Sequence, residues 1–264
     1  MELILERELE HQQKAIDALM SALDGVSIVK PHLAYENPSF DHKELRLTQN
    51  LLEVQKKIRV DYRGCRDDGN YLNLDVKMET GTGKTYVQTQ TIYEMHKRFG
   101  FNKFIIAVPS LPIKAGTSQF IADSYVKHHF SDACGYNCDI ELGVLESPKK
   151  KKKGFLAMPA PVRDFVSGSC QNSNKIYVLL VNMQLLTNGN MLTRSDYDYL
   201  VEGFYRPFDA LRATKPIVII DEPHRFSRDQ KAYKAIVKEL CPQMIIRFGA
   251  TFPEVTVGTG RNKI

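Results

Sequence analysis

The chain has 264 residues, 43% hydrophobic and 25% charged, with thirteen Phe, twelve Tyr and no Trp. This suffices for one large core or two small ones, and it excludes disordered, collagenous and repeat architectures. The formal net charge of +5 equals the lysine run 149–153, so the remainder is neutral on balance and no chain-wide basic field marks a nucleic-acid binder.

The opening MELILERELEHQQ is acidic and amphipathic, unlike a signal peptide. No apolar run approaches the roughly 18 residues that cross a bilayer, so no membrane partner is expected and the compartment reads as cytoplasmic. Cysteines at 65, 134, 138, 170 and 241 are too irregular for a disulfide framework. Cys134 and Cys138 are spaced as half of a zinc site, but no second ligand pair follows, and reduced thiols are the simpler reading.

Apolar spacing predicts a first helix over Glu2–Leu23, stopped at Gly25, and a second over Lys43–Val60, with an irregular stretch at 26–41 between them. From Tyr71 the rhythm changes. Strands are expected at Tyr71–Met78, Lys103–Val108, Asp139–Val144, Ile176–Val181, Ile217–Ile220 and Met244–Phe248. Helices are expected at Lys84–Arg98, Ile113–Asp123, Ser195–Ala213 and Gln230–Leu240, with Ser147–Ser173 a surface loop and the tail from Pro253 frayed. Continuously apolar, β-branched strands alternating with helices predict an α/β fold, a mostly parallel sheet with helices on both faces. Sites in such sheets lie at the carboxyl ends of the strands.

Two of those strand ends carry chemistry. After the first comes Met78-Glu79-Thr80-Gly81-Thr82-Gly83-Lys84-Thr85, a glycine-bearing turn that opens a helix. Thr80, Gly81, Thr82 and Gly83 can curl their N–H groups around a phosphate. Lys84 can reach the β and γ phosphates, and Thr85 can ligate magnesium, which implies ATP and Mg²⁺. Met78 stands where Gly or Ala is usual. Asp221 and Glu222 follow the strand Ile217–Ile220, and an acidic pair there is costly unless it meets a cation or a proton. Asp221 then suits magnesium and Glu222 suits a general base, against the plainer alternative of a solvated acidic loop.

TGTGKT followed by DEPH resembles motifs I and II of superfamily 2 helicases and translocases. METGTGKT, IIAVPSLPIKAG, DEPHRF, RFGAT and NPSFD together resemble the Res subunit of type III restriction enzymes, from about residue 12 to residue 252. The resemblance implies a RecA-like P-loop NTPase fold over 71–264 behind an N-terminal helical segment, 1–70. It implies that Gln12 reads adenine, against the alternative of an exposed helix residue. It gives His224 the coupling of nucleotide state to Gly249-Ala250-Thr251, where the usual first residue is Ser. It also implies that Pro109 and Ser110 touch the nucleic-acid strand. The lysine run 149–153 can grip phosphates or form a solvated loop.

The function implied is an ATP-dependent translocase acting on double-stranded DNA with a modification (methyltransferase) subunit. The alternatives are a stand-alone DNA or RNA helicase and an ATP-binding module without turnover; a metabolic kinase does not suit DEPH and GAT. Such motors stack two RecA-like domains, the second supplying arginines, and Res subunits add a nuclease. Only thirteen residues follow Thr251 here, so a partial motor with weak ATP binding and slow turnover is expected.

Overall fold

A computed structural model describes residues 5–7, 9–59, 71–147, 156–171, 174–187, 190–226 and 231–252. Six strands form one all-parallel sheet: β1 (Leu72–Lys77), β2 (Lys103–Val108), β3 (Asp139–Val144), β4 (Lys175–Asn182), β5 (Ile217–Asp221) and β6 (Met244–Gly249), in the order β1-β6-β5-β2-β4-β3. The two strands that carry the motifs, β1 and β5, are therefore separated by β6. The α/β class expected from the strand composition is the one observed.

Each strand feeds two cores by simple alternation. Phe104, Ile106 and Val108 of β2 face one side, while Ile105 and Ala107 face the other. The first side is covered by α1 (Glu10–Ala22), α2 (Leu45–Lys57), α3 (Lys84–Phe99), α4 (Leu111–Ala122) and the short α5 (Ser124–His128). The second is covered by α6 (Ala160–Gln171) and the short helices α7 (Met183–Thr187) to α10 (Lys231–Ala235). Ile16, Leu19 and Met20 of α1 and Leu47 of α2 lie in the same core as the sheet, so the N-terminal helices share the sheet's core. Among the described residues no helix is long and apolar enough to cross a membrane.

The 26–41 stretch is tied down by one residue. Asn37 is fully buried; its amide donates to the carbonyls of Lys103 (2.8 Å) and Lys215 (3.2 Å) and accepts from the N–H groups of Asn102 (2.8 Å) and Lys103 (2.9 Å). It thus straps the chain across the amino ends of β2 and β5, opposite the motif-bearing ends. Lys103 beside it is also fully buried. Its ammonium donates to the carbonyls of Phe165 and Val166 in α6 and lies over the ring of Tyr177, 4.2 Å from the centroid. Burial pushes that ammonium down to about 7, against smaller upward pulls from Cys170 and Glu202.

Three expectations are corrected. Ser195–Ala213 is helical only over Pro207–Ala213 (α9). Glu202 (φ 48°) and Gly203 (φ 91°) make a turn bridged by Val201 and Phe204, and the residue before Pro207 is disfavoured in a helix. The stretch read as a loop at Ser147–Ser173 contains α6, whose Val162, Phe165 and Val166 bury one face at helical spacing despite the surrounding Lys, Pro and Ser. Within the described residues the first helix runs Glu10–Ala22, with 5–7 outside it and Leu9 extended at its start. The lysine run and the tail from Pro253 lie outside the described residues.

Candidate nucleotide site

The turn between β1 and α3 is shaped by two left-handed glycines, Gly81 (φ 84°) and Gly83 (φ 82°), a conformation that L side chains rarely adopt. Gly83 is the N-cap of α3 and has no side chain to occupy the free N–H groups, so they remain available. The loop folds on itself. Thr82 Oγ1 (2.7 Å) and Lys84 Nζ (3.1 Å) both donate to the carbonyl of Glu79, and the Met78 N–H donates to Gly249 O on β6 (3.0 Å). Thr80 and Gly81 are exposed, and Thr85 opens the first turn of α3 half-buried.

Gln12 is not an exposed helix residue. It is 6% exposed and its amide donates to Thr82 O (3.1 Å), leaving Oε1 buried without a protein partner. His11 Nε2 approaches the same carbonyl at 3.1 Å. A side chain at Gly83 would place its Cβ 2.4 Å from Gln12 Nε2, so the Gln12 amide would have to leave its place over the loop.

Asp221 ends β5 and is 7% exposed. Burial raises its carboxyl above the ordinary carboxylate range and the charge of Glu222 adds to this, while a hydrogen bond from Gln88 Nε2 (3.1 Å) and the field of Lys84 oppose it. Glu222 adopts a left-handed conformation (φ 50°, ψ 63°), and its N–H donates to Phe248 O (3.0 Å). Its carboxylate lies 3.9 Å from the guanidinium of Arg225. His224 is exposed, and the side chain that meets Gly249 is that of Pro223. Ala250 is half-buried and Thr251 exposed.

Pro109 and Ser110 join β2 to α4 at the same edge of the sheet. Asn182, paired in register with Val108, is buried there with its Oδ1 unpartnered. Sequence reasoning passed over Gln88, Asn182 and Pro223. Gln88 was within reach, since it lies one helical turn after Lys84 and so shares its face of α3.

A parallel sheet with a glycine-bent loop leading into α3 and a buried acid at a nearby strand end defines an α/β domain of the P-loop class. A family model described as "Type III restriction enzyme, res subunit" matches residues 7–254, and the chain belongs to that family. It is 41% identical over 263 residues to the StyLTI Res subunit of Salmonella typhimurium, covering 98% of this chain and 24% of that protein. It is 39% identical over 258 residues to the EcoPI Res subunit of Escherichia phage P1 (94% and 26%). Against the EcoP15I Res subunit of Escherichia coli it is 38% identical over 258 residues (95% and 26%). The chain thus spans about a quarter of the length of these relatives. Among solved structures, the Sulfolobus solfataricus SWI2/SNF2 ATPase core in complex with dsDNA aligns with a TM-score of 0.38 at 14% identity, over 67% of this chain and 27% of that one.

Proposed function

We propose that this chain is an ATP-hydrolysing motor domain acting within a type III restriction system. The observation that carries the reading is Asp221: a buried carboxyl whose ionisation is opposed by burial, placed at a strand end in the field of Lys84. Such a group is stable as an anion when a cation neutralises it. The surrounding residues suit ATP and Mg²⁺. Gly81 opens onto free space, the N-terminus of α3 is uncapped, and Gln12 Oε1 is an acceptor awaiting a donor such as the amino group of adenine.

In this reading Gly81, Thr82, Gly83 and Lys84 bind the phosphates, with Thr80 at the mouth of the loop. Thr85 and Asp221 would hold Mg²⁺, which would supply charge neutralisation for the phosphates. Glu222, 30% exposed at its side chain, is the base that orients and deprotonates water. His224 and Gly249-Ala250-Thr251 transmit the nucleotide state, and Pro109 and Ser110 contact the tracked strand of double-stranded DNA. A modification (methyltransferase) subunit supplies site recognition, DNA cleavage lies in other parts of the enzyme, and the setting is cytoplasmic.

The test is Glu222→Gln. In the motor, ATP·Mg binding persists while hydrolysis is lost by about 10²-fold or more, the scale of general-base catalysis. Unchanged behaviour of the variant would instead identify a module that uses ATP only as a ligand.

A further inference from the structure

We infer that Pro223 and Gly249 are positioning residues: their contact sets the backbone of Glu222, and Gly249 is required because nothing larger fits against the proline ring. The inference rests on the reading of Glu222 as the hydrolytic base and extends it to two residues that touch neither nucleotide nor metal.

Glu222 is a non-glycine residue with φ 50°, an uncommon conformation, and it stands immediately before a proline. Such strain persists only where the surroundings over-determine it. Three contacts do so here. The Glu222 N–H donates to Phe248 O (3.0 Å), the Glu222 carbonyl accepts from the Arg225 N–H (2.9 Å), and the ring of Pro223 is buried against Gly249.

Gly249 is not in a left-handed conformation, so its requirement is space and not backbone freedom. A Cβ there would lie 2.5 Å from Pro223 Cδ, 3.0 Å from Cγ and 3.1 Å from Thr251 O. Carbon atoms pack at about 3.5–4.0 Å, so something would have to move by about 1 Å. Gly249 cannot readily move, because its carbonyl accepts from Met78 N (3.0 Å) and its strand is paired with β1 and β5. The proline must yield instead. Its Cδ is bonded to the peptide nitrogen that carries the Glu222 carbonyl carbon, so displacing the ring turns that peptide and swings the Glu222 carboxylate. The missing hydroxyl at the start of Gly249-Ala250-Thr251 is thus no simple loss. In this chain the two motifs meet through a van der Waals contact that any side chain at 249 would break.

The experiment compares the parent with Gly249→Ala, Pro223→Ala and the double variant, measuring ATP·Mg affinity with a fluorescent nucleotide and hydrolysis under single-turnover conditions. Gly249→Ala is expected to lower the hydrolysis rate by about 10²-fold, the scale of a 1 Å misplacement, with affinity essentially unchanged. Adding Pro223→Ala should return the rate to that of Pro223→Ala alone, a rescue that a merely structural role would not produce. Should Gly249→Ala fail to fold, the pair Pro223→Ala and double variant decides: the alanine at 249 must be silent in that background. An equal cost of Gly249→Ala in both backgrounds, or none in the parent, overturns the inference and leaves the hydrolase reading intact. A parent that neither binds nor turns over ATP·Mg overturns the hydrolase reading, and the inference with it.

Discussion

Replacing Lys103 with Met should make the stability of the chain respond differently to pH. The ammonium is fully buried, donating to the carbonyls of Phe165 and Val166 and caged by the rings of Tyr177 and Phe165, while Cys170 and Glu202 exert weaker fields on it. Its ordinary value is 10.5 and burial lowers it to about 7. Between those values the unfolded chain binds the proton more tightly than the folded one, so stability rises with pH across that window and is lost as pH falls through about 7. A separation of about 3.5 pH units corresponds to about 5 kcal/mol over the whole window, of which about 2 kcal/mol falls between pH 7 and 9. Urea unfolding of the parent and of Lys103→Met across that range isolates the lysine, because every other titrating group is common to both. The parent should gain about 2 kcal/mol on the variant between pH 7 and pH 9. Parallel profiles would refute the reasoning and mean that the carbonyls and rings compensate the charge in full.

Two further outcomes are expected. Asp221→Asn removes a buried charge while keeping the hydrogen bond to Gln88 possible, so it should raise the unfolding free energy of the nucleotide-free chain by about 1 kcal/mol while abolishing Mg²⁺-dependent turnover, readable by thermal melts and phosphate release. Asn37→Ala removes the acceptor of the Asn102 and Lys103 N–H groups and the amide donor to the Lys103 carbonyl, while the Lys215 carbonyl keeps Gln243 Nε2. It should cost about 2–4 kcal/mol in urea unfolding and leave ATP·Mg affinity untouched, since the strap lies at the opposite end of the strands.

The strands were the most legible part of the sequence. KFIIAV and DIELGV match β2 and β3 residue for residue, because buried parallel strands are apolar throughout or flanked by clear turns. The phosphate loop was legible for a different reason: glycines at two left-handed positions before a helix leave a pattern that few other structures produce. Helix α6 was not legible, since Pro161, Ser167, Gly168 and Ser169 mask the three apolar residues that anchor it, and Gly168 is there to admit the ring of Tyr177. The partnership of Gln12 with Thr82 is a contact across 70 residues, invisible to any local pattern. The meeting of Pro223 with Gly249 is hidden for the same reason, and from sequence alone the glycine reads only as a lost hydroxyl.

The position of β6 between β1 and β5 bears on how the gap between phosphate loop and acid pair is gauged. Both loops hang from strands hydrogen-bonded to β6, so their separation is counted in inter-strand steps of about 4.8 Å, giving roughly 10 Å for the two. That width is a property of peptide geometry and does not depend on which side chains fill the core. Substitutions can tilt or crowd the groups at either rim, but the span between the rims could change only by slipping a strand. A slip of one residue would turn every side chain of that strand to the opposite face. The sheet therefore acts as a fixed ruler, and what evolution can tune lies in the few residues that lean across it.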